Sequence, residues 1–156
     1  MRMTKKERRA WKKDMLANKR LCKKYPWLRL RNWYGKLDKT YDCTELDQMP
    51  RGWRKCFGMM MVKEIDNELR KYHCRHKYGI MEIKEKWGSL RWYDYNQPQE
   101  RDIQNIIDKY SAISEHVCIR CGKVDVPLVG DSWVMPVCQD CYAYTNNVIK
   151  LRVKHK

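Results

Sequence analysis

The sequence holds 156 residues, 43% of them hydrophobic and 12% aromatic, so one domain with a packed core is expected rather than a disordered chain, and it carries a formal charge of +15. No apolar stretch approaches the roughly 18 residues of a membrane span, so no membrane association is expected, and no apolar run follows the basic N-terminus to make a secretory signal. A cytoplasmic location is therefore expected, in which the eight cysteines read as thiols or metal ligands rather than as disulfides.

In chain order, Thr4-Lys5-Lys6-Glu7 fits a capping box opening a helix that runs to about Lys24. On it Trp11, Met15, Cys22 and Tyr25 share a narrow arc with Leu21 at its edge, and nearly all else is Lys or Arg. Tyr25-Pro26 ends it, because proline turns the residue before it away from the helical region. Residues 1–26 form this basic segment. Residues 27–50 read as irregular, anchored by Trp27, Trp33, Tyr34 and Tyr41. A second helix is expected from about Pro50 or Arg51 to Tyr72, with Trp53, Phe57, Met60, Met61, Ile65, Leu69 and Tyr72 as its apolar face. Met59-Met60-Met61 reads as adaptable core filler.

The sharpest strand pattern follows, a β-hairpin over 80–95. Ile80 to Trp87 and Leu90 to Tyr95 flank Gly88-Ser89, with the glycine first in a type II′ turn. That pairing sets Trp87 opposite Leu90, Lys86 opposite Arg91, Glu85 opposite Trp92 and Lys84 opposite Tyr93. Met81, Ile83, Trp87, Leu90 and Trp92 then face the core together with Glu85 and Asp94, while Glu82, Lys84, Lys86, Arg91, Tyr93 and Tyr95 take the other side. A third helix is expected from about Pro98 to Glu115, burying Ile103, Ile106, Ile107, Tyr110 and Ile113. The expected class is α+β: a helical body over 27–117 carrying the hairpin, a cysteine ribbon over 118–142, and a basic tail over 143–156.

The ribbon carries the clearest chemistry. Cys118-Ile-Arg-Cys121-Gly122 and Cys138-Gln-Asp-Cys141 are two C-x-x-C knuckles, and two-residue spacing lets both sulfurs of a knuckle meet one ion. Two knuckles complete a tetrahedral thiolate shell, read as one structural Zn²⁺ per chain with no position left for a catalytic water. Gly122 can take the positive φ that turns amides toward sulfur, and Arg120 and Lys123 offset the net charge of −2. Four cysteines can also hold an iron–sulfur cluster, but paired knuckles favour zinc. The other cysteines (Cys22, Cys43, Cys56 and Cys74), with His73 and His76, show no paired motif and read as ordinary reduced residues.

Gly52-Trp53 opening a helix, the run Glu85-Lys86-Trp87-Gly88-Ser89-Leu90-Arg91-Trp92-Tyr93, the helix ending near Ser114-Glu115, and the two cysteine knuckles occur in that order. The series resembles a family of small uncharacterised bacteriophage and prophage zinc-ribbon proteins. The resemblance covers roughly residues 50–142 and implies the architecture and a phage-related origin, hence a host bacterial cytoplasm. It leaves the biochemical role open, and the basic helix lies outside it.

Charge distribution points to partners. Residues 1–36 hold 14 Lys/Arg against 2 acids, the tail from Lys150 adds Lys150, Arg152, Lys154 and Lys156, and the stretch between has 16 basic and 17 acidic residues. Basic ends flanking a neutral body seek polyanions, nucleic acid before membrane; the plainer reading is that they aid solubility. The expected footprint on DNA or RNA is Lys5, Arg8, Arg9, Lys12, Lys13, Lys19 and Arg20 on the helix, with Lys84, Lys86, Arg91 and Tyr93 on the hairpin. Lys86 opposite Arg91 would want an anion between them, and the tyrosines would offer faces for unpaired bases, unless Glu82 pairs locally with Lys84 or Lys86. The leading reading is thus a non-enzymatic nucleic-acid-binding accessory protein. Its alternative is an interaction module that blocks or redirects a host defence or replication protein, using Trp and Tyr as hot spots. A metal-dependent nuclease built on Glu82, Lys84 and Asp66 is the weakest reading, because Asp66 falls within a helix.

Overall fold

A computed structural model describes residues 5–32, 34–38 and 43–143, without the side chains of residues 6–8, 10, 11 and 14. Trp33, Tyr41, the Arg8 and Trp11 side chains and the tail beyond Ala143 therefore lie outside the described parts. Helix α1 spans Lys5–Lys24. It is seated at its C-terminal end. Asn18 is buried and donates Nδ2 to Asp47 Oδ2 at 3.0 Å, and Leu21 packs on the core beside the buried Tyr25. Lys5, Arg9, Lys12, Lys13 and Leu16 are exposed. Tyr25 leaves the helix with φ −126° ahead of Pro26, and the turn Pro26–Leu28 buries Trp27 and Leu28 completely. Tyr34, expected as an anchor, is 83% exposed: the tight turn around Asn32 and Gly35 carries it outward. A second short turn, Glu45–Gln48, is held by Thr44 and Asp47 as a capping box.

Helix α2 runs continuously over 51–71, as Arg51–Trp53, a π-helical turn Arg54–Gly58, and Met59–Lys71. Trp53, Phe57, Met61, Val62, Ile65 and Leu69 are buried at helical spacing. Met60, expected inside, is 52% exposed, because the buried arc turns through Met61 and Val62 instead. Helix α3 spans Asp102–Ser114 and packs on α2 and the hairpin, starting later than expected because residues after the left-handed Asn96 (φ 57°) form turns. Ile113, expected inside, is exposed. Ser114 is buried in its place, and its Oγ accepts the Leu90 N–H at 2.8 Å.

Strands β1 (Gly79–Lys86) and β2 (Ser89–Tyr95) make the hairpin. Its turn lies one residue upstream of the expected one: Trp87 (φ 56°) and Gly88 (φ 79°) are the central pair, with the left-handed geometry of a type I′ turn. Lys86 therefore faces Ser89, Glu85 faces Leu90, Lys84 faces Arg91, Ile83 faces Trp92 and Glu82 faces Tyr93. Each partner shifts by two, so the faces are unchanged, and Ile83, Leu90 and Trp92 are buried as expected. Trp87 is the exception. Placed in the turn rather than the ladder, it is 54% exposed. A bulge between Ile80 and Glu82 reverses the upstream end, burying Ile80 and leaving Met81 56% exposed.

The core is one cluster between α2, α3, the hairpin and the two short turns, centred on Trp27, Trp53, Phe57, Ile65, Tyr78 and Trp92. After α3 come two short antiparallel strands, β3 (Leu128–Val129) and β4 (Met135–Pro136). The protein is α+β, with a C-terminal cluster of four cysteines. Among the described residues no helix is long and apolar enough to cross a membrane.

Candidate metal centre

The first knuckle is a tight loop closed by Cys118 N–H to Lys123 O at 2.7 Å and Gly122 N–H to Cys118 O at 2.9 Å. Gly122 sits at φ 83°, a conformation open to glycine at little cost. The second knuckle begins a helical turn in which Tyr142 N–H meets Cys138 O at 2.9 Å. The loops bring the sulfurs of Cys118, Cys121, Cys138 and Cys141 within 4.8 Å of one another, with Cys121 and Cys138 at 3.6 Å. Metal–sulfur bonds of about 2.3 Å in a tetrahedron set sulfurs about 3.8 Å apart, so the cage fits such an ion.

Cys118 and Cys138 are buried with Val126 and Val137, and Cys121 and Cys141 are half-buried. Burial opposes ionisation of Cys118, but backbone hydrogen bonds from Cys138, Cys121 and Arg120 outweigh it and hold the thiol down at about 6. Cys141 is pushed up to about 12 by burial and by the sulfurs of Cys138, Cys121 and Cys118. One thiolate forms readily while the set resists losing every proton, a resistance a bound cation removes. These four cysteines could hold a metal ion, and among the described residues no second cluster of three or more His, Cys, Asp or Glu could.

The centre is fastened to the body through the start of α2. Gly52 N–H donates to Ile119 O at 2.9 Å, and the buried Trp53 Nε1–H donates to Val117 O at 2.8 Å. A Cβ on Gly52 would lie 2.1 Å from Cys118 O, so the knuckle backbone occupies the space a side chain would need. One turn on, Cys56 faces Gly122. The sequence signal for this close approach is a glycine inside a helical pattern.

The expected nucleic-acid residues divide into two places. On α1, Lys5, Arg9, Lys12, Lys13, Lys19 and Arg20 are exposed. On the hairpin, Lys84 rather than Lys86 lies across from Arg91, and Lys84 is already paired with Glu82 at 2.6 Å while lying 5.2 Å over the Tyr93 ring. The like-charge clamp between Lys86 and Arg91 is absent because the turn moved.

A basic region that sequence reasoning missed adjoins the end of α1. Arg75 donates Nη2 to Lys24 O at 2.5 Å, and Arg70 and Arg75 both direct Nε at the buried Asp66, at 2.8 and 2.7 Å. Asp66 also accepts Trp27 Nε1–H at 2.9 Å. Burial would raise its carboxyl, but Arg70, Trp27 and Arg75 hold it below the usual range. Its oxygens are thus taken by structural partners. Two clefts meet at Arg70: one of about 540 Å³ lined by Pro26, Leu69, Arg70, His73, Arg75 and His76, and one of about 260 Å³ that adds Lys24 and Lys63.

No protein-family model matches the chain, and no curated protein or solved structure matches it.

Proposed function

We propose that the protein is a zinc-binding, non-enzymatic accessory protein that binds nucleic acid, with α1 as its main binding element. The observation that carries this reading is the cationic surface formed where α1 meets the body. Over 20 residues, about 30 Å, α1 holds ten Lys/Arg against Glu7 and Asp14. Its last turn, with Lys23 and Lys24, runs into the clefts lined by Lys63, Arg70, His73, Arg75 and His76. Thirty ångströms of duplex carry about 18 phosphates, a charge density such a rod can follow by counterion release. Asp66 orients two guanidinium groups at its end, which lowers the entropy lost on meeting a phosphate.

An all-cysteine shell of paired knuckles supports zinc as the ion, in a structural role that fixes the C-terminal third against α2. The resemblance over residues 50–142 supports a phage-related origin and action in a host cytoplasm.

The test replaces the exposed Lys5, Arg9, Lys12 and Lys13 with Gln and measures affinity for duplex DNA against salt. The wild-type logarithmic slope should be steep and should fall by about 3.6 in the variant, near 0.9 for each of the four phosphates no longer neutralised. Absence of binding at low salt, or an unchanged slope, overturns the nucleic-acid reading and leaves a protein-interaction module in its place.

A further inference from the structure

Trp87 occupies an unfavourable backbone position for its type. The first central residue of a type I′ turn is left-handed, a place suited to Asn, Asp or Gly, and a bulky aromatic there (φ 56°) costs conformational energy. The ring gains little burial in return, since it stands 54% exposed. It meets instead another exposed ring, Trp133 at 53%, with centroids 5.5 Å apart and planes tilted by 32°. Strain of this kind persists where surrounding structure holds it, and it gathers at functional positions.

Both rings are held by glycine-dependent turns. Glu85 Oε1 accepts the Gly88 N–H at 2.7 Å, and Gly88 is seated so closely on the ribbon that a Cβ would lie 2.7 Å from Leu128 Cδ2 and 3.4 Å from Val134 O. Trp133 follows Gly130 (φ 123°), whose Cβ would fall 2.1 Å from Trp133 O. The hairpin tip and the metal-stapled ribbon thus present a two-ring surface from two distant parts of the sequence.

Resting on the nucleic-acid reading above, we propose that Trp87 and Trp133 form a stacking platform for unpaired bases, so that the protein prefers single-stranded nucleic acid to duplex. A base in a duplex has both faces covered by its neighbours, whereas an unpaired base offers its π-face to an indole. The positive charge that attracts a phosphate backbone is concentrated on α1, away from the rings, where Lys86 beside Trp87 is set against Glu85 and Asp131 in the flanking sequence. The platform therefore acts through the rings themselves, and its contribution outlasts the salt that screens α1.

The decisive variant is Trp87→Asn in the full chain, because asparagine suits the left-handed turn position. Its zinc content and thermal midpoint should match or exceed those of the wild type. Its affinity for oligo(dT) should fall about tenfold or more, while affinity for a duplex of equal length stays unchanged. Wild-type tryptophan fluorescence should be quenched by oligo(dT) at salt concentrations that abolish duplex binding, and Trp133→Ser should remove that quenching. Unchanged oligo(dT) binding by Trp87→Asn overturns the platform, as does an equal loss for duplex and single strand. A lowered thermal midpoint would assign Trp87 to packing and also overturn it. The underlying reading fails separately, through wild-type protein that binds neither nucleic acid at low salt.

Discussion

Replacing Gly52 with Ala sets two effects of opposite sign against each other. In an exposed helix the change would stabilise by about 1 kcal/mol, because alanine loses less backbone entropy. In α2 the new Cβ would stand 2.1 Å from Cys118 O, 2.6 Å from Ile119 C and 2.7 Å from Ile119 O. All three are backbone atoms of the knuckle, with no flexible side chain to yield. Relief requires separating the knuckle from α2, which breaks the 2.9 Å bond from Gly52 N–H to Ile119 O and pulls on the 2.8 Å bond from Trp53 Nε1 to Val117 O. Overpacking costs about 1–3 kcal/mol. Breaking a hydrogen bond adds about 1 kcal/mol, and a buried indole N–H left unsatisfied about 1–3 kcal/mol. Set against the helix gain, the net loss is about 2–6 kcal/mol. For a chain of this length that corresponds to a fall of about 4–24 °C in Tm, read by calorimetry on the metal-loaded protein. Metal transfer to a competing chelator should also quicken. Met60→Ala, on the exposed side of the same helix, should stay within about 0.5 kcal/mol of wild type. A Gly52→Ala protein as stable as wild type would show that the ribbon does not bear on α2 as described.

Two further outcomes are expected. Chelating the metal, or Cys138→Ser, should loosen residues 116–142 and separate Trp133 from Trp87, because ligation and local folding are coupled. Hydrogen exchange should quicken there while β1 and β2 stay protected, and uniform exchange behaviour with and without metal would count against the site. The second concerns Glu45, which is buried and whose carboxyl burial pushes up to about 7 against a backbone hydrogen bond from Arg31. An acid whose folded pKa exceeds its unfolded value binds more protons when folded, so its contribution to stability falls as pH rises from about 4.5 to about 7. Glu45→Gln should match wild type near the lower limit and exceed it by up to about 3 kcal/mol above the upper one, measured by denaturant unfolding across pH. A difference that does not change with pH would refute the assignment.

The sequence by itself determined the elements whose cause is local. Helical spacing of apolar residues placed α2 and α3, Tyr25-Pro26 ended α1, and the alternation from Glu82 to Tyr93 separated the hairpin's faces. The cysteine cluster was legible for the same reason, since two-residue spacing fixes where both sulfurs of a knuckle can point. Packing between distant segments decided the rest. Gly88 lies against Leu128 and Val134 in the ribbon, and the left-handed turn built on Trp87 and Gly88 places Trp87 beside Trp133 rather than in the core. Gly52 reads locally as a weak point in a helix, yet it is the place where the backbone of Cys118 and Ile119 rests. Asp66 reads as a free carboxylate, and Arg70 one turn on in the same helix is its local partner; Arg75 from beyond the helix end and Trp27 from a distant turn join it only in the folded chain. Pattern records the period and conformational preference of one segment, whereas close approach between backbones and the pairing of buried charge depend on which segments meet, and that is settled only by packing the whole chain.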